Sequence, residues 1–405
     1  MIGERSSDST ASQLHRTPKS LSRGLETGGT ILRFGAKGIA KAIAMAIAVV
    51  MSLTTATSAM SGDLIQERQY LRVKIDGKDV RLEAVFVKRA DARGRLPVAF
   101  FNHGRPEFQG MTLDQSLTVN DPGINPLADI ARRGWLVVAI HRRGYGLSDG
   151  PMQSDSPCAL DTFISWMNAD ADDIQASIAA VAKRPDADPT RMIAIGESAG
   201  GAASLALGAR NPPGLAAVIN IAGGEHLSGC AAVRDSIPID FANLGSRSRI
   251  PNLWVFAKND LNHPLDQIEV MRAAFTGAGA DLKLALLEPI GDDGHTGLSS
   301  IAGRGQWLVE IDNFLRAHNL PTWPIANVDV VLQKLQWPPS LRAYIQTYLA
   351  APGEKALART PGTQNASYRT AATLEGARKS ALDACQQKGQ PCTIVMDDDR
   401  WVESQ

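Results

Sequence analysis

The chain has 405 residues, of which 44% are hydrophobic, and its 42 basic residues balance its 42 acidic residues. This length favours two domains, or one large domain with an appendage. A net charge near zero gives no electrostatic reason to expect nucleic acid or an anionic membrane surface as a partner. The four cysteines form no C-x-x-C pair, so we expect no zinc cluster, no other metal and no cofactor.

Residues 1–59 are predicted to be a disordered extension followed by a signal peptide. Residues 1–36 are polar, and basic residues then precede an apolar run from Ala42 to Leu53 and the small residues Thr57-Ser58-Ala59. The apolar run is shorter than the roughly 20 residues that span a bilayer. We therefore expect export to the periplasm or the cell exterior, cleavage near Ala59 and no stable membrane span afterwards. The alternative is a buried or amphipathic helix of the fold.

From about residue 68, short apolar runs alternate with helical stretches. The first two runs surround Asp76-Gly77, a typical hairpin turn, and the later runs are continuous, as in strands buried on both faces of a parallel sheet. The predicted strands are Tyr70–Ile75, Val80–Val87, Pro97–Phe101, Trp135–Ile140, Met192–Ile195, Ala216–Ile221, Leu253–Ala257 and Leu282–Leu287. The predicted helices are Leu127–Arg133, Asp172–Lys183, Ala202–Arg210, Leu265–Phe275 and Gln306–His318. This alternation predicts a doubly wound, mostly parallel eight-stranded α/β sheet over residues 60–320, with ligands at the carboxyl ends of its strands.

The remaining sequence is predicted to hold a connector, residues 321–352, and a small α+β domain, residues 353–405. In the latter, Glu354–Arg359, Leu374–Ala384 and Thr393–Met396 indicate a strand, a helix and a strand. About fifty residues are too few for a comfortable core. A disulfide between Cys385 and Cys392 would join the helix end to the last strand and contribute roughly 2–3 kcal/mol in the chain-entropy model.

Ser198 is the candidate nucleophile. It lies in Gly196-Glu197-Ser198-Ala199-Gly200, directly after the apolar run Met192–Ile195 and directly before a helical stretch. A serine on a sharp strand-to-helix turn exposes its Oγ to a substrate. The glycines two residues on either side let the backbone turn without a Cβ clash.

A second copy of the G-x-S-x-G pattern surrounds Ser148, at residues 146–150. Pro151 and a polar, proline-bearing stretch follow it, and these residues cannot begin a helix. We therefore interpret this copy as a loop and Ser148 as a chance match to the pattern.

The general base for Ser198 is predicted to be His295. Sheets of this kind present their catalytic groups in the order serine, acid, histidine, and three histidines follow Ser198 at a useful distance. His318 lies on a terminal helix and is predicted to be exposed, and His263 follows Asp260 on the same loop. His295 lies in a glycine-rich loop just after the last predicted strand, where an imidazole projects over the sheet edge.

Asp260 is the predicted acid that orients His295. It ends the buried run that starts at Leu253, which places its carboxylate at the carboxyl edge of the sheet. Asp292 and Asp293 are nearer to His295 in sequence, but they would have to fold back onto their own loop. We interpret these two carboxylates as exposed to solvent or as contacts of the catalytic residues from outside the catalytic triad.

The predicted oxyanion hole consists of two backbone N–H groups, because such donors must point at the developing charge. One is Ala199, the residue after the nucleophile. The other comes from the loop His103-Gly104-Arg105-Pro106. Since Pro106 has no N–H, we assign this donor to Arg105. The Arg105 side chain is expected to line the rim of the pocket, with contact to a substrate carboxylate as the alternative.

Three further residues are candidates for the substrate pocket. Tyr145 follows a strand at the active edge, and packing is the alternative to a pocket role. Glu225 and His226 follow the strand that ends at Ile221.

Cys158 and Cys230 lie in loops near the same edge and are expected to form a disulfide after export. The alternative is a pair of buried free thiols.

Together these motifs resemble those of the α/β-hydrolases, in particular the secreted dienelactone-hydrolase-like and prolyl-oligopeptidase-like esterases. The resemblance covers about residues 68–320 and rests on His103-Gly104, Arg142-Arg-Gly-Tyr-Gly146, Gly196-Glu-Ser-Ala-Gly-Gly201, Asn259-Asp260 and Asp293-Gly-His295. It implies Ser198 as nucleophile, His295 as base and acid, and Asp260 as orienting acid. No long insertion precedes the acid, so any lid is expected to be small. The C-terminal part is similar to small cysteine-paired domains of exported bacterial proteins.

The sequence therefore predicts an exported serine hydrolase that cleaves a small carboxylic ester through an acyl-enzyme. One alternative is a serine peptidase or amidase of the prolyl-oligopeptidase type, which would need an acidic clamp such as Glu225. Another is a non-catalytic binding module on a hydrolase scaffold. Retention of Ser198, His295 and Asp260 argues against that module.

Overall fold

The computed structural model describes residues 56–58, 64–105, 125–151, 158–226, 230–322, 328–351, 355–371, 373–387, 389–398 and 400–402. Residues 55–405 belong to one compact unit. The predicted signal peptide lies almost entirely outside the described residues. No helix among the residues described is both long and apolar enough to cross a lipid bilayer.

An antiparallel hairpin begins the described sheet. Strands β2 (Leu64–Ile75) and β3 (Lys78–Arg89) pair along their whole length. Asp76 and Gly77 join them with φ angles of 51° and 75°, so the predicted hairpin has a two-residue turn. A short strand, β1 (Ala56–Ser58), lies inside the segment predicted as signal peptide and pairs with β2.

Six further strands complete a nine-stranded sheet in the order β1-β2-β3-β5-β4-β6-β7-β8-β9. The described pairings among β4–β9 are all parallel, whereas β1 with β2, β2 with β3 and β3 with β5 pair antiparallel. The added strands are β4 (Leu96–Asn102), β5 (Leu136–Ile140), β6 (Ala187–Glu197), β7 (Leu215–Ile221), β8 (Asn252–Ala257) and β9 (Leu282–Leu287). The predicted doubly wound fold is confirmed, with β1 as an addition to the eight predicted strands.

Helices connect the parallel strands and cover both faces of the sheet. They are α1 (Pro126–Arg132), α2 (Thr162–Val181), α3 (Ala199–Gly208), α4 (Ala231–Arg247), α5 (Leu265–Gly277), α6 (Gly294–Gly297) and α7 (Ile301–Ala317). Several of them differ from the prediction: α6 is a single helical turn in what was predicted to be the glycine-rich loop of His295, and α7 begins five residues before the predicted start at Gln306. Helix α2 begins ten residues before the predicted start at Asp172, and α4 was not predicted at all. Pro238 lies inside α4, and an internal proline normally argues against a helix.

The C-terminal part forms a second, antiparallel sheet in the order β11-β10-β12-β13. Its elements are α8 (Val328–Leu335), a 3-10 turn (Pro339–Leu341), α9 (Arg342–Ala350), β10 (Lys355–Arg359), β11 (Ala366–Thr370), α10 (Leu374–Gln386), β12 (Thr393–Asp397) and β13 (Arg400–Trp401). The predicted strand, helix and strand correspond to β10, α10 and β12, while β11 and β13 were missed. Helices α8 and α9 share one apolar cluster with Leu357 and Met396 of the small sheet. The boundaries at residues 320 and 352 remain a prediction.

Candidate active site

The carboxyl edge of the parallel sheet brings the three predicted catalytic side chains together. Ser198 follows β6, Asp260 follows β8 and His295 follows β9. Ser198 has φ 52° and ψ −123°, a left-handed conformation that costs about 1–3 kcal/mol for a non-glycine residue. A Cβ on Gly196 would lie 2.1 Å from the Gly200 carbonyl oxygen, and one on Gly200 would lie 2.1 Å from the Asn102 carbonyl oxygen. Both glycines are therefore required by the turn.

Ser198, His295 and Asp260 form a continuous chain of side-chain contacts. The Nε2 atom of His295 lies 3.1 Å from Ser198 Oγ, and its Nδ1 atom lies 3.2 Å from Asp260 Oδ2. These distances allow Nδ1–H to donate to the carboxylate while Nε2 accepts the serine proton.

The second G-x-S-x-G serine, Ser148, does not share this setting. Ser148 Oγ donates to the His141 carbonyl oxygen at 2.7 Å and lies in a loop.

Asp260 is buried and remains a carboxylate because several donors converge on it. Its Oδ1 accepts the backbone N–H groups of Asn262 at 2.9 Å and His263 at 2.8 Å. Burial on its own would raise the pKa of Asp260, but interactions with His263 and His295 outweigh it and hold that pKa well below the usual range. The buried His263 places Nδ1 3.7 Å from Asp260 Oδ1, so one carboxylate faces two imidazoles.

The pKa of the His295 imidazole is raised above its ordinary value. Burial acts to lower this pKa, but the hydrogen bond and negative charge of Asp260, with the charges of Glu197 and Asp293, outweigh it. A raised pKa makes His295 a stronger proton acceptor once the imidazole is neutral. At pH values above this pKa, His295 is neutral and its Nε2 atom is able to accept a proton from Ser198.

Asp293 joins the histidine loop to the acid loop. Its Oδ1 accepts the backbone N–H of His295 at 2.9 Å and that of Leu261 at 3.1 Å. Asn259 adds a second link, since its Oδ1 accepts the Ile290 N–H at 3.0 Å. Asp293 thus holds the backbone of His295 through its N–H, which is consistent with its predicted place outside the triad.

The loop predicted to supply an oxyanion donor passes directly over the nucleophile. A Cβ on Gly104 would lie 3.4 Å from Ser198 Cβ. His103 Nδ1 donates to the Gly104 carbonyl oxygen at 2.6 Å, and its Nε2 faces the Arg142 N–H at 3.4 Å. Burial, then the charges of Arg142 and His141, lower the pKa of His103 well below its usual value, so this ring is neutral. Ala199 is the first residue of α3, where backbone N–H groups have no intrahelical acceptor.

A small cavity of about 40 Å³ opens beside the nucleophile turn, and we call it the aromatic cavity. Its walls are mostly apolar and comprise Arg105, Tyr145, Phe163, Trp166, Met167, Asp170, Ala199 and Ala202. Tyr145 is both packed in the core and part of this wall. The Arg105 guanidinium lies 5.1 Å from the centre of the Trp166 ring, which places it at the rim as predicted. Trp166 was missed because α2 begins earlier than expected.

A second, larger cavity of about 520 Å³ lies beside the acid loop, and we call it the acid-loop cavity. Glu225 and His226, the other two predicted pocket residues, belong to its wall rather than to the aromatic cavity. The His226 ring centre lies 6.2 Å from that of His263, which in turn lies 5.5 Å from that of His295. The predicted pocket residues are therefore divided between two cavities.

The four cysteines form the two pairs expected from the sequence, Cys158–Cys230 and Cys385–Cys392. The first joins the segment before α2 to the first residue before α4, and Cys230 lines the acid-loop cavity. The second joins the end of α10 to the segment before β12, as predicted for the small sheet.

Asp260, His263 and His295 are also close enough together to be considered as metal ligands. Their ligand atoms lie within 4.8 Å of one another. His295 uses Nδ1 toward Asp260 and Nε2 toward Ser198, so neither ring nitrogen remains directed at a shared ion. We therefore interpret the cluster as two imidazoles around one carboxylate. His263 was missed as a partner of Asp260, although its position three residues along the chain was a visible signal.

Comparisons with known proteins agree with this architecture. Residues 125–264, which include Ser198 and Asp260 but not His295, match the family described as serine aminopeptidase, S33. No curated protein gives a significant match.

Solved structures give partial matches of low sequence identity. A putative dienelactone hydrolase from Klebsiella pneumoniae is 17% identical with a TM-score of 0.39, and the alignment covers 56% of this chain and 86% of that one. An esterase of Pyrococcus furiosus is 14% identical with a TM-score of 0.46, covering 62% and 92%. Dipeptidyl peptidase 4 of Porphyromonas gingivalis is 17% identical with a TM-score of 0.45, covering 64% of this chain but only 36% of that one. Taken together, the sheet order and the family match over residues 125–264 support an α/β-hydrolase fold for the larger sheet.

Proposed function

We propose that this protein is an exported serine hydrolase that cleaves a small carboxylic ester through a Ser198–His295–Asp260 triad. The observation that carries the proposal is the 3.1 Å contact between His295 Nε2 and the Oγ of a serine held at positive φ. A hydroxyl on a strained strand-to-helix turn, within hydrogen-bond reach of an imidazole that a carboxylate orients, is the arrangement that activates a serine nucleophile.

The proposed reaction has two halves. His295 Nε2 accepts the Ser198 proton as Oγ attacks the ester carbonyl, and Asp260 stabilises the imidazolium that forms. The backbone N–H groups of Ala199 and Arg105 stabilise the negative oxygen, where loss of one donor typically costs about 3–4 kcal/mol. His295 then protonates the leaving alcohol, which leaves an acyl-Ser198 ester. Water repeats the sequence and releases the acid.

The aromatic cavity supports an ester whose acyl group is compact and apolar. Ala199 belongs both to its wall and to the proposed oxyanion hole, so a group in this cavity stays close to the carbonyl under attack. Phe163 and Met167 supply buried apolar surface. Trp166 and the Arg105 guanidinium form the rim. We therefore expect butyrate esters to react faster than acetate esters.

A serine peptidase or amidase is the second candidate, because the matching family is described as serine aminopeptidase. Both reactions use the same nucleophile and base, and they differ in the leaving group that His295 must protonate. Comparison of p-nitrophenyl esters with aminoacyl p-nitroanilides separates them. The ester proposal expects the esters to be the better substrates by kcat/KM.

Export and the division into domains belong to the same proposal. Two disulfides support an oxidising compartment, because such bonds are rare in reducing cytosol. We infer cleavage near Ala59, which removes the edge strand β1 and leaves the eight predicted strands in a catalytic domain over residues 60–320. A connector over 321–352 and a small C-terminal domain over 353–405 follow. Mass spectrometry of the N terminus of secreted protein tests the cleavage site.

Hydrolysis of p-nitrophenyl acetate and butyrate by the full chain tests the ester proposal. Ser198→Ala is expected to abolish turnover. Ser148→Ala is the matched control, since it changes the serine of the second G-x-S-x-G pattern, and it is expected to retain activity when folded. Equal background rates in wild type and both variants would refute the enzyme and favour the non-catalytic binding module.

A further inference from the structure

His263 is a buried imidazole beside the triad that the proposed reaction does not use. Its exposed fraction is 2%. Neither of its ring nitrogens has a hydrogen-bond partner among the residues that the structure describes. Burying a polar group without a partner destabilises a fold, whereas an apolar ring of similar size carries no such penalty. The stability of the fold therefore does not account for an imidazole at this position.

Aromatic rings and a glycine pack around the His263 ring. Its centre lies 5.7 Å from that of Phe256, 6.2 Å from that of His226 and 5.5 Å from that of His295. A Cβ on Gly224 would lie 2.9 Å from His263 Cδ2, so the ring lies directly against that glycine. A phenyl ring could make the same packing contacts, and these neighbours do not by themselves require an imidazole.

The carboxylate of Asp260 is the group that gives the imidazole a role. Nδ1 of His263 lies 3.7 Å from Asp260 Oδ1, the oxygen that also accepts the backbone N–H groups of Asn262 and His263. The other oxygen, Oδ2, faces His295 Nδ1 at 3.2 Å. The two imidazoles thus approach different oxygens of one carboxylate. A separation of 3.7 Å exceeds that of a hydrogen bond, but catalytic hydrogen bonds that begin long often tighten in the transition state.

The single proton of the His263 ring is expected on Nδ1. Burial lowers the pKa of His263 and outweighs the opposing attraction of Asp260, so the ring is neutral at neutral pH and carries one N–H. Because Asp260 Oδ1 lies on the Nδ1 side of the ring, this nitrogen is the one that has an acceptor for its proton. A neutral donor holds the carboxylate without adding a positive charge that would compete with the imidazolium of His295.

We propose that His263 is a positioning residue of the triad, whose Nδ1–H donates to Asp260 Oδ1 and thereby keeps Oδ2 directed at His295. The proposal rests on the hydrolase function proposed above. With both oxygens held, the carboxylate stays in place while positive charge develops on His295, which is the step that its charge stabilises. Loss of the donor should therefore lower kcat and leave KM nearly unchanged, because the contact acts in the transition state rather than in substrate binding.

Four side chains at position 263 separate the N–H donor from the packing of the ring. His263→Phe keeps a ring without a donor, whereas His263→Asn can place an amide N–H where Nδ1 lies but has no ring. His263→Leu has the branched shape of asparagine and lacks both features. A hydrogen bond to a charged group supports an effect of about 10-fold or more. We therefore expect kcat for p-nitrophenyl butyrate to fall by about this factor from wild type to His263→Phe, and from His263→Asn to His263→Leu, with little change in KM.

The opposite order would overturn the proposal. If the ring serves packing alone, His263→Phe should stay close to wild type, and His263→Asn should be no more active than His263→Leu. The melting temperature of His263→Phe is expected to equal or exceed that of wild type, because the substitution removes a polar ring without partners and keeps the packing. A loss of kcat in this variant is then not a loss of folded protein.

The position of the His263 proton provides a readout that needs no turnover. In ¹⁵N-labelled full-length Ser198→Ala protein, nuclear magnetic resonance should find this proton on Nδ1, and a proton on Nε2 would overturn the contact with Asp260. If the wild-type protein hydrolyses neither esters nor aminoacyl anilides, the hydrolase function is refuted and the positioning role with it. In that case the spectrum still decides whether His263 donates to Asp260.

Discussion

Asp260→Asn is the substitution that most directly tests how His295 is activated. The asparagine retains an oxygen for the backbone N–H groups of Asn262 and His263, which Asp260 Oδ1 accepts at 2.9 and 2.8 Å. Its amide then presents N–H donors, rather than an acceptor, to His295 Nδ1, which now lies 3.2 Å from Oδ2. The imidazole is driven to carry its proton on Nε2, where it can no longer accept the proton of Ser198.

The expected loss in kcat is about 10³- to 10⁴-fold, as for acids that orient a catalytic histidine in other serine hydrolases. Each tenfold step corresponds to about 1.36 kcal/mol, so the loss amounts to roughly 4–5.5 kcal/mol of transition-state stabilisation. Because the backbone acceptor is kept, we expect the fold and KM to change little. Asp292→Asn is the matched control, since Asp292 is an exposed acid on the histidine loop, and it should retain wild-type activity.

The pH profile gives an independent check of the same reasoning. Burial lowers the pKa of His295, but Asp260 and two further acids raise it above the ordinary value of 6.5. Neutral His295 is the active form, so kcat/KM of wild type should fall as the pH drops through a pKa above 6.5. In Asp260→Asn this acid limb should move to lower pH. The reasoning is refuted if kcat decreases less than tenfold or if the acid limb stays where it was.

Three further perturbations test the supports of the site. Asp293→Ala removes the acceptor for the backbone N–H groups of His295 and Leu261. The imidazole of His295 should then be misplaced, which should lower kcat about 10- to 100-fold with little change in KM. An unchanged kcat would contradict this positioning role of Asp293. The double substitution Cys158→Ser/Cys230→Ser removes a disulfide between residues 72 apart in sequence. Because a longer closed loop constrains the unfolded chain more, it should lower the free energy of unfolding in denaturant by about 4 kcal/mol. A smaller loss than that of Cys385→Ser/Cys392→Ser, whose residues are 7 apart, would contradict this dependence on loop length. Burial raises the pKa of Glu225 in the folded protein to about 9. The stability that the protonated carboxyl contributes is therefore complete below its unfolded pKa of 4.5 and is lost as the pH rises through 9. The Tm of Glu225→Gln relative to wild type should rise between pH 5 and pH 9, and a constant difference would argue against a Glu225 carboxyl buried beside Asp240.

The triad was predictable because its three members follow three strands of one parallel sheet. Continuous apolar runs identified β6, β8 and β9, and parallel strands end at the same edge. Ser198, Asp260 and His295, in the loops that follow these runs, were therefore expected to lie at one edge. Pro151 indicated that no helix follows the second G-x-S-x-G copy, and Ser148 does lie in a loop in the structure.

The surroundings of the triad were less predictable, because they come from helices with weak sequence signals. Trp166 lies in the first part of α2, ahead of the predicted helix start. Asp240 lies in α4, where Pro238 argues against a helix although Val233, Ile237, Phe241 and Leu244 recur at helical spacing. Glu225 was predicted at the active edge, but its burial against Asp240 depends on where α4 packs. Tertiary packing rather than local propensity therefore decided both cavities.

Mass-spectrometric mapping of a fluorophosphonate adduct on the full-length protein tests the central claim most directly. The probe reacts covalently only with a serine that a neighbouring base has activated. We predict one adduct, on Ser198, that is lost in His295→Ala and retained in Ser148→Ala. Labelling at Ser148, or no labelling of folded wild-type protein, would contradict the assignment of Ser198 as an activated nucleophile.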